Sequence, residues 1–261
     1  MRRAVFALLL VSLATGAQAH FSTNALQEIA AKPQPNAQLP LDAPFVDEHG
    51  QPRTLRGILS GRPAVLVFAD YTCRTLCGPI LAFAAGGLEK SGLRPGEDYH
   101  LVVIGIDAKD GLDDATAFKS SRVGEGTPLA AATVMLTGKQ PAIDTATRAA
   151  GYRFAYDSGE DQFAHPAAAY VLTADGHVAR VLSGLGLANG GDLRLALVDA
   201  GKGKIGTVVD QIHLLCYGFD PAKGIYTASI LRWLDVGGAL VVAALAAGVG
   251  ALMLRKRRAA A

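Results

Sequence analysis

The segment that decides the fold reads AVLVFADYTCRTLC and spans residues 64–77. The apolar run at 64–68 is typical of a strand that is buried on both faces of a sheet. Cys73 and Cys77 follow this strand four residues apart, on the predicted turn into a helix, so both thiols lie on one face. A thiol pair at a helix N-terminus can share a metal ion or close a disulfide. The segment therefore predicts redox or metal chemistry.

Predicted strands and helices alternate along the chain from this segment onward. The strands cover 64–68, 99–106, 132–136 and 153–156, and the helices cover 79–90, 113–120, 141–150 and 191–200. Before the last of these helices, a hairpin joins 167–172 to 177–182, because the Asp-Gly pair at 175–176 favours the left-handed backbone of a tight turn. This order predicts an α/β thioredoxin-like fold, with a central mixed sheet flanked by helices.

Both ends of the chain carry targeting signals. Residues 1–19 combine two arginines, an apolar run and an Ala-x-Ala site, which is the pattern of a secretory signal peptide. Residues 236–254 carry no charge and are long enough for a transmembrane helix, and the basic tail at 255–261 marks the cytoplasmic side. We therefore expect a single-pass protein of a bacterial inner membrane, held in the lipid bilayer by its C-terminal helix, with its globular domain in the periplasm.

The exported part divides into a proline-punctuated linker at 20–38, a thioredoxin-like domain at 39–200 and a juxtamembrane segment at 201–235. The signal peptide and the basic cluster at 255–258 together carry six positive charges, so the net charge of +2 becomes −4 for the exported part. Nucleic-acid binding requires a concentrated basic face. We therefore expect no nucleic-acid partner.

Three cysteines allow at most one disulfide within the chain. A static structural disulfide between Cys73 and Cys77 is one interpretation of the pair. Cys216 is expected to be a small buried hydrophobic residue, and pairing with a partner or with an active-site thiol is the alternative. His213, close to Cys216, is a further candidate metal donor.

A histidine would complete a copper site at the cysteine pair. Copper(I) prefers thiolate ligands, and an added imidazole allows the same site to hold copper(II). His165 precedes the predicted hairpin, and in a thioredoxin-like fold this loop lies beside the cysteine turn. The alternative interpretation is a loop histidine that is hydrogen-bonded to the backbone.

The spacing of Cys73 and Cys77 is one residue wider than the Cys-x-x-Cys spacing of thioredoxin-type oxidoreductases.

Several ordered motifs resemble those of the Sco/SenC family of membrane-anchored copper chaperones for cytochrome c oxidase assembly. They are PFVDEHGQ at 44–51, Tyr71-Thr72 before the Cys-x3-Cys pair, Ile106-Asp107, His165 with Tyr170 five residues later, and Asp175-Gly176. The resemblance covers most of the exported domain and suggests a C-terminally anchored bacterial variant of the family.

The resemblance implies a metallochaperone that delivers copper to a respiratory cytochrome c oxidase, or matures its copper site. Cys73, Cys77 and His165 would bind Cu(I) or Cu(II), and Asp107 would be a nearby acid outside the ligand set. The cysteines would also form a redox pair. The implied partners are an oxidase subunit or another copper-site protein, and a thiol-disulfide reductant.

The sequence also departs from the family pattern. The family has a proline after each cysteine, whereas Arg74 follows Cys73 and Gly78 follows Cys77; Ala164 replaces an acidic residue, and the family's usual anchor is N-terminal. A cis peptide bond at Pro166 would favour thiol-disulfide exchange, as in thioredoxins. A thiol-disulfide oxidoreductase, and a non-catalytic redox sensor or assembly scaffold, are therefore the alternative functions.

Overall fold

The structure is a computed structural model that describes residues 29–73, 78–158, 161–203, 219–220, 225–226 and 241. The chain divides into two units, 1–205 and 206–261. The described strands are β1 (Ala30–Ala31), β2 (Phe45–Asp47), β3 (Pro52–Arg53), β4 (Ala64–Ala69), β5 (His100–Gly105), β6 (Thr133–Thr137), β7 (Tyr152–Arg153), β8 (Ala155–Asp157), β9 (Gln162–Ala164), β10 (Ala168–Leu172), β11 (Val178–Ser183), β12 (Phe219–Asp220) and β13 (Ile225–Tyr226). The last two form an antiparallel hairpin in the second unit.

The described helices all belong to the first unit, apart from the single helical residue Val241. They are α1 (Leu55–Leu59), α2 (Gly78–Lys90), α3 (Leu112–Arg122), α4 (Pro128–Ala132), α5 (Gln140–Ala149), α6 (Leu185–Ala188) and α7 (Gly190–Gly201). Thr54 caps α1 and Thr127 caps α4, because each side chain accepts a hydrogen bond from a first-turn N–H group.

A seven-stranded mixed sheet forms the centre of the first unit. Its strand order is β11-β10-β4-β5-β6-β2-β3. Strands β4, β5 and β6 run parallel, whereas β10 and β2 pair antiparallel to the two outer members of this trio. The α/β class with a central mixed sheet flanked by helices is confirmed, and the arrangement is consistent with a thioredoxin-like fold.

Strand β4 carries the core on both of its faces. Val65 and Val67 contribute to one hydrophobic cluster, which includes residues of α2, α3 and α7. Leu66 and Phe68 contribute to a second cluster on the opposite face, which includes residues of α1 and α5. All six residues of β4 are fully buried. This double burial explains why the strand reads as an unbroken apolar run.

The structure differs from the sequence predictions at three places. Residues 30–31, within the predicted linker, pair with β7, and Ala30 is buried, so the end of this segment is packed on the domain. The predicted strand at 153–156 is two short strands, β7 and β8. The short elements β2, β3, α1 and α4 were not expected from the sequence, because two to five residues give too little periodicity.

The predicted signal peptide at 1–19 and basic tail at 255–261 lie outside the described residues, as does most of the juxtamembrane segment at 201–235. The predicted transmembrane helix at 236–254 also lies outside them, except for Val241. In the described parts of the chain, no helix combines the length and the apolar character needed to cross a membrane.

Two adjacent glycines of α2 offer a matched test of the packing. A Cβ atom on Gly87 would collide with the carbonyl oxygen of Leu187 and lie 2.6 Å from Leu193 Cδ1, whereas one on Gly86 would have nothing within 4 Å. Gly87→Ala should therefore lower the free energy of unfolding by about 1 to 3 kcal/mol. Gly86→Ala should raise it by about 0.4 to 1 kcal/mol. Urea unfolding measures both, and equal effects would contradict the packing described.

Candidate metal and redox site

Cys73 lies in the turn that follows the buried strand β4. Its N–H donates a 3.4 Å hydrogen bond to the carbonyl oxygen of Asp70, and the residue is only 8% exposed. Its sulfur is part of a disulfide. The partner sulfur lies outside the described residues, as do residues 74–77 with the predicted ligand Cys77. The protein is thus in an oxidised state at Cys73.

The carboxylate of Asp70 links the cysteine turn to the strand that precedes His165. Asp70 Oδ1 accepts 3.0 Å hydrogen bonds from the backbone N–H and the hydroxyl of Thr72. Its Oδ2 accepts a 3.4 Å hydrogen bond from the N–H of Phe163 in β9. Because Thr72 is adjacent to Cys73 and Phe163 is two residues before His165, one buried side chain holds both segments at the end of β4.

His165 is a half-buried histidine whose two ring nitrogens have different surroundings. Its Nδ1 lies 2.7 Å from Tyr152 Oη and 3.2 Å from the carbonyl oxygen of Pro166. Its Nε2 is buried and has no hydrogen-bond partner among the described residues. A buried ring nitrogen without a hydrogen-bond partner is costly, and binding of a metal ion would satisfy it.

Burial also controls the charge of this imidazole. It lowers the pKa of His165 below the usual 6.5, although the Pro166 carbonyl and the negative charge of Asp70 favour the protonated form. A lowered pKa keeps the ring neutral at neutral pH. A neutral imidazole has the lone pair that metal ligation requires.

Asp107 and Asp110 follow β5, which is the strand next to β4. Asp107 Oδ1 accepts a 2.8 Å hydrogen bond from the N–H of Lys109, and Lys109 Nζ lies 3.8 Å from Asp107 Oδ2. Asp110 Oδ2 accepts a 2.9 Å hydrogen bond from the N–H of Tyr71. The Asp107 segment therefore reaches the cysteine turn through Asp110 and Tyr71.

Asp110 is the carboxyl group whose protonation changes near neutral pH. Burial raises the pKa of Asp110 to about 7, and the nearby charges of Asp70 and Asp107 add to the effect. The hydrogen bond from Tyr71 N–H acts in the opposite direction. The end of β4 and β5 thus holds a buried group of three acids whose charges repel one another.

The hairpin of β8 and β9 is fastened to the same end of the sheet. Lys109 Nζ donates a 2.6 Å hydrogen bond to Asp161 Oδ1, and Tyr156 Oη donates to the same oxygen at 2.5 Å. Lys109 also lies over the Tyr156 ring, 5.2 Å from its centroid. Since β9 leads into His165, these contacts help to fix the histidine segment beside the strand ends.

The structure brings Cys73, His165 and Asp107 to the same end of the sheet, and Cys77 stays a prediction because it is not described. Among the described residues, no group of three His, Cys, Asp or Glu side chains is arranged to hold a metal ion. The donor types nevertheless fit copper, because a cysteine sulfur and a free imidazole nitrogen are soft and borderline ligands.

Further sequence predictions concerned the His165–Pro166 peptide bond and the region of His213 and Cys216. No described peptide bond is cis, so the His165–Pro166 bond is trans. The cis proline that would favour thiol-disulfide exchange is therefore not found at this position. His213 and Cys216 lie outside the described residues. Three residues of the site, Asp70, Asp110 and Tyr152, were not predicted from the sequence. Asp70 had a signal, because it is the first polar residue after β4; Tyr152 had none, because its contact with His165 exists only in the fold.

The first unit is a mixed α/β domain, consistent with a thioredoxin-like fold, that carries a disulfide-bonded cysteine and a histidine beside the end of its buried strand β4. The family model described as SCO1/SenC matches residues 33–189. The chain therefore belongs to the SCO1/SenC family. A comparison with curated proteins finds no match.

Solved structures agree in fold. A protein of Aquifex aeolicus VF5 is 22% identical with a TM-score of 0.56, over 66% of this chain and 96% of the other. BsSco, a member of the Sco family of cytochrome c oxidase assembly proteins for which a disulfide switch was identified, is 18% identical with a TM-score of 0.53, over 66% and 98%. Yeast Sco1 is 17% identical with a TM-score of 0.50, over 63% and 98%.

The raised pKa of Asp110 predicts a pH dependence of stability. Between about pH 4 and 7 the folded protein keeps a proton on Asp110 that the unfolded chain has lost, so the free energy of unfolding falls as the pH rises. Asp110→Asn keeps an acceptor for Tyr71 N–H but cannot ionise. Its stability relative to the parent should therefore be greater at pH 8 than at pH 5, as measured by urea unfolding.

The control is Asp113→Asn, which changes an exposed acid of the same region. Its effect on the free energy of unfolding should be the same at pH 5 and pH 8. An Asp110→Asn effect that is equally independent of pH would show that Asp110 is ionised throughout this range.

Proposed function

We propose that this protein is an exported copper-binding protein of Sco type that delivers copper to a respiratory cytochrome c oxidase, or matures its copper site. The observation that carries the proposal is the Nε2 of His165, a buried atom with no hydrogen-bond partner in the described part of the chain. It belongs to a segment that Asp70 ties to the turn of the disulfide-bonded Cys73. Membership of the SCO1/SenC family supports the same function. Copper enters the proposal through the donor types, because a cysteine sulfur and an imidazole nitrogen together suit this metal.

Copper is the cargo, and Cys73, Cys77 and His165 are the proposed ligands. The disulfide at Cys73 has no thiolate to offer, so a thiol-disulfide reductant must first supply two electrons and two protons to give two thiols. Binding of Cu(I) then releases the two thiol protons, because thiolates are the ligands. The neutral imidazole of His165 adds a nitrogen without proton release.

The residues around the proposed ligands hold the ligand segments together and set the charge of the site. Asp70 holds the Cys73 turn and the His165 segment together in the oxidised protein, and we expect both hydrogen-bonded contacts to persist when the disulfide is reduced. The buried acids Asp70 and Asp107, whose negative charges act on Asp110, give the site negative potential towards a cation.

The proposed location rests on two segments predicted from the sequence. The signal peptide at 1–19 would direct export, and the helix at 236–254 would anchor the protein in the bacterial inner membrane with the domain in the periplasm. This compartment favours disulfides, which agrees with the oxidised state of Cys73. The partners would be an oxidase subunit or another copper-site protein, and a thiol-disulfide reductant.

The second candidate is a thiol-disulfide oxidoreductase, which the disulfide at Cys73 favours. A reduced pair would attack a partner disulfide, form a mixed disulfide and then close its own, so that two electrons and two protons pass to the partner. This function needs both cysteines but has no use for the free nitrogen of His165. A redox sensor or assembly scaffold would need neither copper nor turnover.

Copper titration of the reduced full chain in detergent micelles tests the proposal. We expect one equivalent of copper(I) to bind tightly, and His165→Ala to weaken this binding by at least about 10-fold, because the imidazole ligand is lost. Cys73→Ser should weaken it further. The matched control is His49→Ala, which removes a histidine with a side chain that is 76% exposed. This change should leave the affinity unaltered.

The same samples separate the candidates. Stoichiometric binding that is unaffected by His165→Ala would contradict the proposed ligand set. An absence of copper binding, together with rapid reduction of a disulfide-bonded test peptide that His165→Ala does not slow, would establish the oxidoreductase in place of the copper carrier.

A further inference from the structure

Tyr152 contacts the candidate ligand His165 directly, through its hydroxyl group. We propose that Tyr152 is a positioning residue, whose hydroxyl fixes the imidazole of His165 in the tautomer with the proton on Nδ1 and so presents Nε2 as the metal-binding nitrogen. The biological role of this contact rests on the proposed function. Its structural part can be tested without any metal.

The hydrogen-bond geometry around Tyr152 Oη supports this tautomer. The oxygen lies 2.7 Å from His165 Nδ1, 3.2 Å from the carbonyl oxygen of Pro166 and 3.4 Å from the carbonyl oxygen of Phe68. With the proton on Nδ1, the ring donates to Tyr152 Oη, and the tyrosine O–H donates to one of the two carbonyl groups. Every donor in the cluster then has an acceptor.

The opposite tautomer leaves a donor unsatisfied. With the proton on Nε2, Tyr152 would donate to Nδ1, and the Nε2–H group would be buried with no acceptor among the described residues. A buried N–H without an acceptor is rarer in proteins than an under-used lone pair. The environment of His165 therefore favours the Nδ1–H form, and a free lone pair on Nε2.

The tyrosine is held rigidly enough to impose an orientation. Its ring is 4.7 Å from the Phe68 ring and 6.3 Å from the Tyr170 ring, measured between centroids, and the residue is 2% exposed. Phe68 belongs to β4, the strand that leads to the cysteine turn. Tyr152 thus connects the orientation of the histidine to the same strand that positions Cys73, and ligand-orienting contacts of this kind commonly tune metal affinity.

Tyr170 provides a matched control in the same aromatic cluster. It is fully buried, and its ring is 5.8 Å from the Phe68 ring. Its hydroxyl has no hydrogen-bond partner among the described residues. Tyr152→Phe and Tyr170→Phe each remove one buried hydroxyl and keep the aromatic ring, but only the first removes a contact with His165.

The first experiment measures the tautomer of His165 in the metal-free full chain, by long-range ¹H–¹⁵N NMR of ¹⁵N-histidine-labelled protein, with His165→Ala to assign the signals. We expect the Nδ1–H tautomer in the parent protein and in Tyr170→Phe. In Tyr152→Phe we expect a smaller excess of the Nδ1–H tautomer, because the Pro166 carbonyl oxygen, 3.2 Å from Nδ1, is then the remaining acceptor among the described residues. An Nε2–H tautomer in the parent protein would overturn the inference, and that result does not depend on the folding of any Tyr152 variant.

The second experiment titrates the reduced proteins with copper(I). Tyr152→Phe should bind about 10- to 100-fold more weakly than the parent, and Tyr170→Phe should bind equally well. An unchanged tautomer and affinity in a folded Tyr152→Phe variant would refute the role of Tyr152. If the parent protein binds no copper, the proposed function fails, while the NMR measurement still decides whether Tyr152 sets the tautomer.

Discussion

The burial of strand β4 on both faces is the constraint on which the rest of the structure depends. Its six residues are withdrawn from solvent and separate two hydrophobic clusters. Polar groups can therefore enter only where the strand ends, and Asp70 is the first of them. The cysteine turn, the acids after β5 and the histidine segment all gather at that end. The core thus determines where the chemistry is located.

Asp70 then connects the cysteine turn to the histidine segment by hydrogen bonds. Its two carboxylate oxygens bind Thr72 on one side and Phe163 on the other, so the cysteine turn and the histidine segment cannot move independently. Tyr152 adds a second connection, between Phe68 and His165. Each connection runs through a buried residue, Asp70 or Tyr152, whose polar atoms are left unsatisfied when a partner is lost. This coupling suits a site that must keep its ligands together through a change of redox state.

The sequence predicted the elements with strong signals. Continuous apolar runs located β4, β5 and β10 to within a residue or two, and the Asp-Gly turn located the hairpin of β10 and β11. It did not predict β2, β3 or the packing of residues 30–31, because short strands are stabilised by their partners and carry little pattern of their own. Cys73 could be selected from residue type and spacing, His165 from its predicted place before the hairpin, and Asp107 from the resemblance to the Sco/SenC family. Asp110 and Tyr152 could not, because their roles arise from contacts between residues that are 39 and 13 positions apart.

The central claim is that two cysteine sulfurs and the imidazole of His165 bind copper together. X-ray absorption at the copper K-edge of the reduced, copper(I)-loaded full chain tests this claim most directly, because it identifies the atoms bound to the metal. The account predicts two sulfur ligands and one imidazole nitrogen in the parent protein, and the loss of the imidazole signal in His165→Ala. A spectrum without imidazole in the parent protein, or with fewer than two sulfurs, would contradict it.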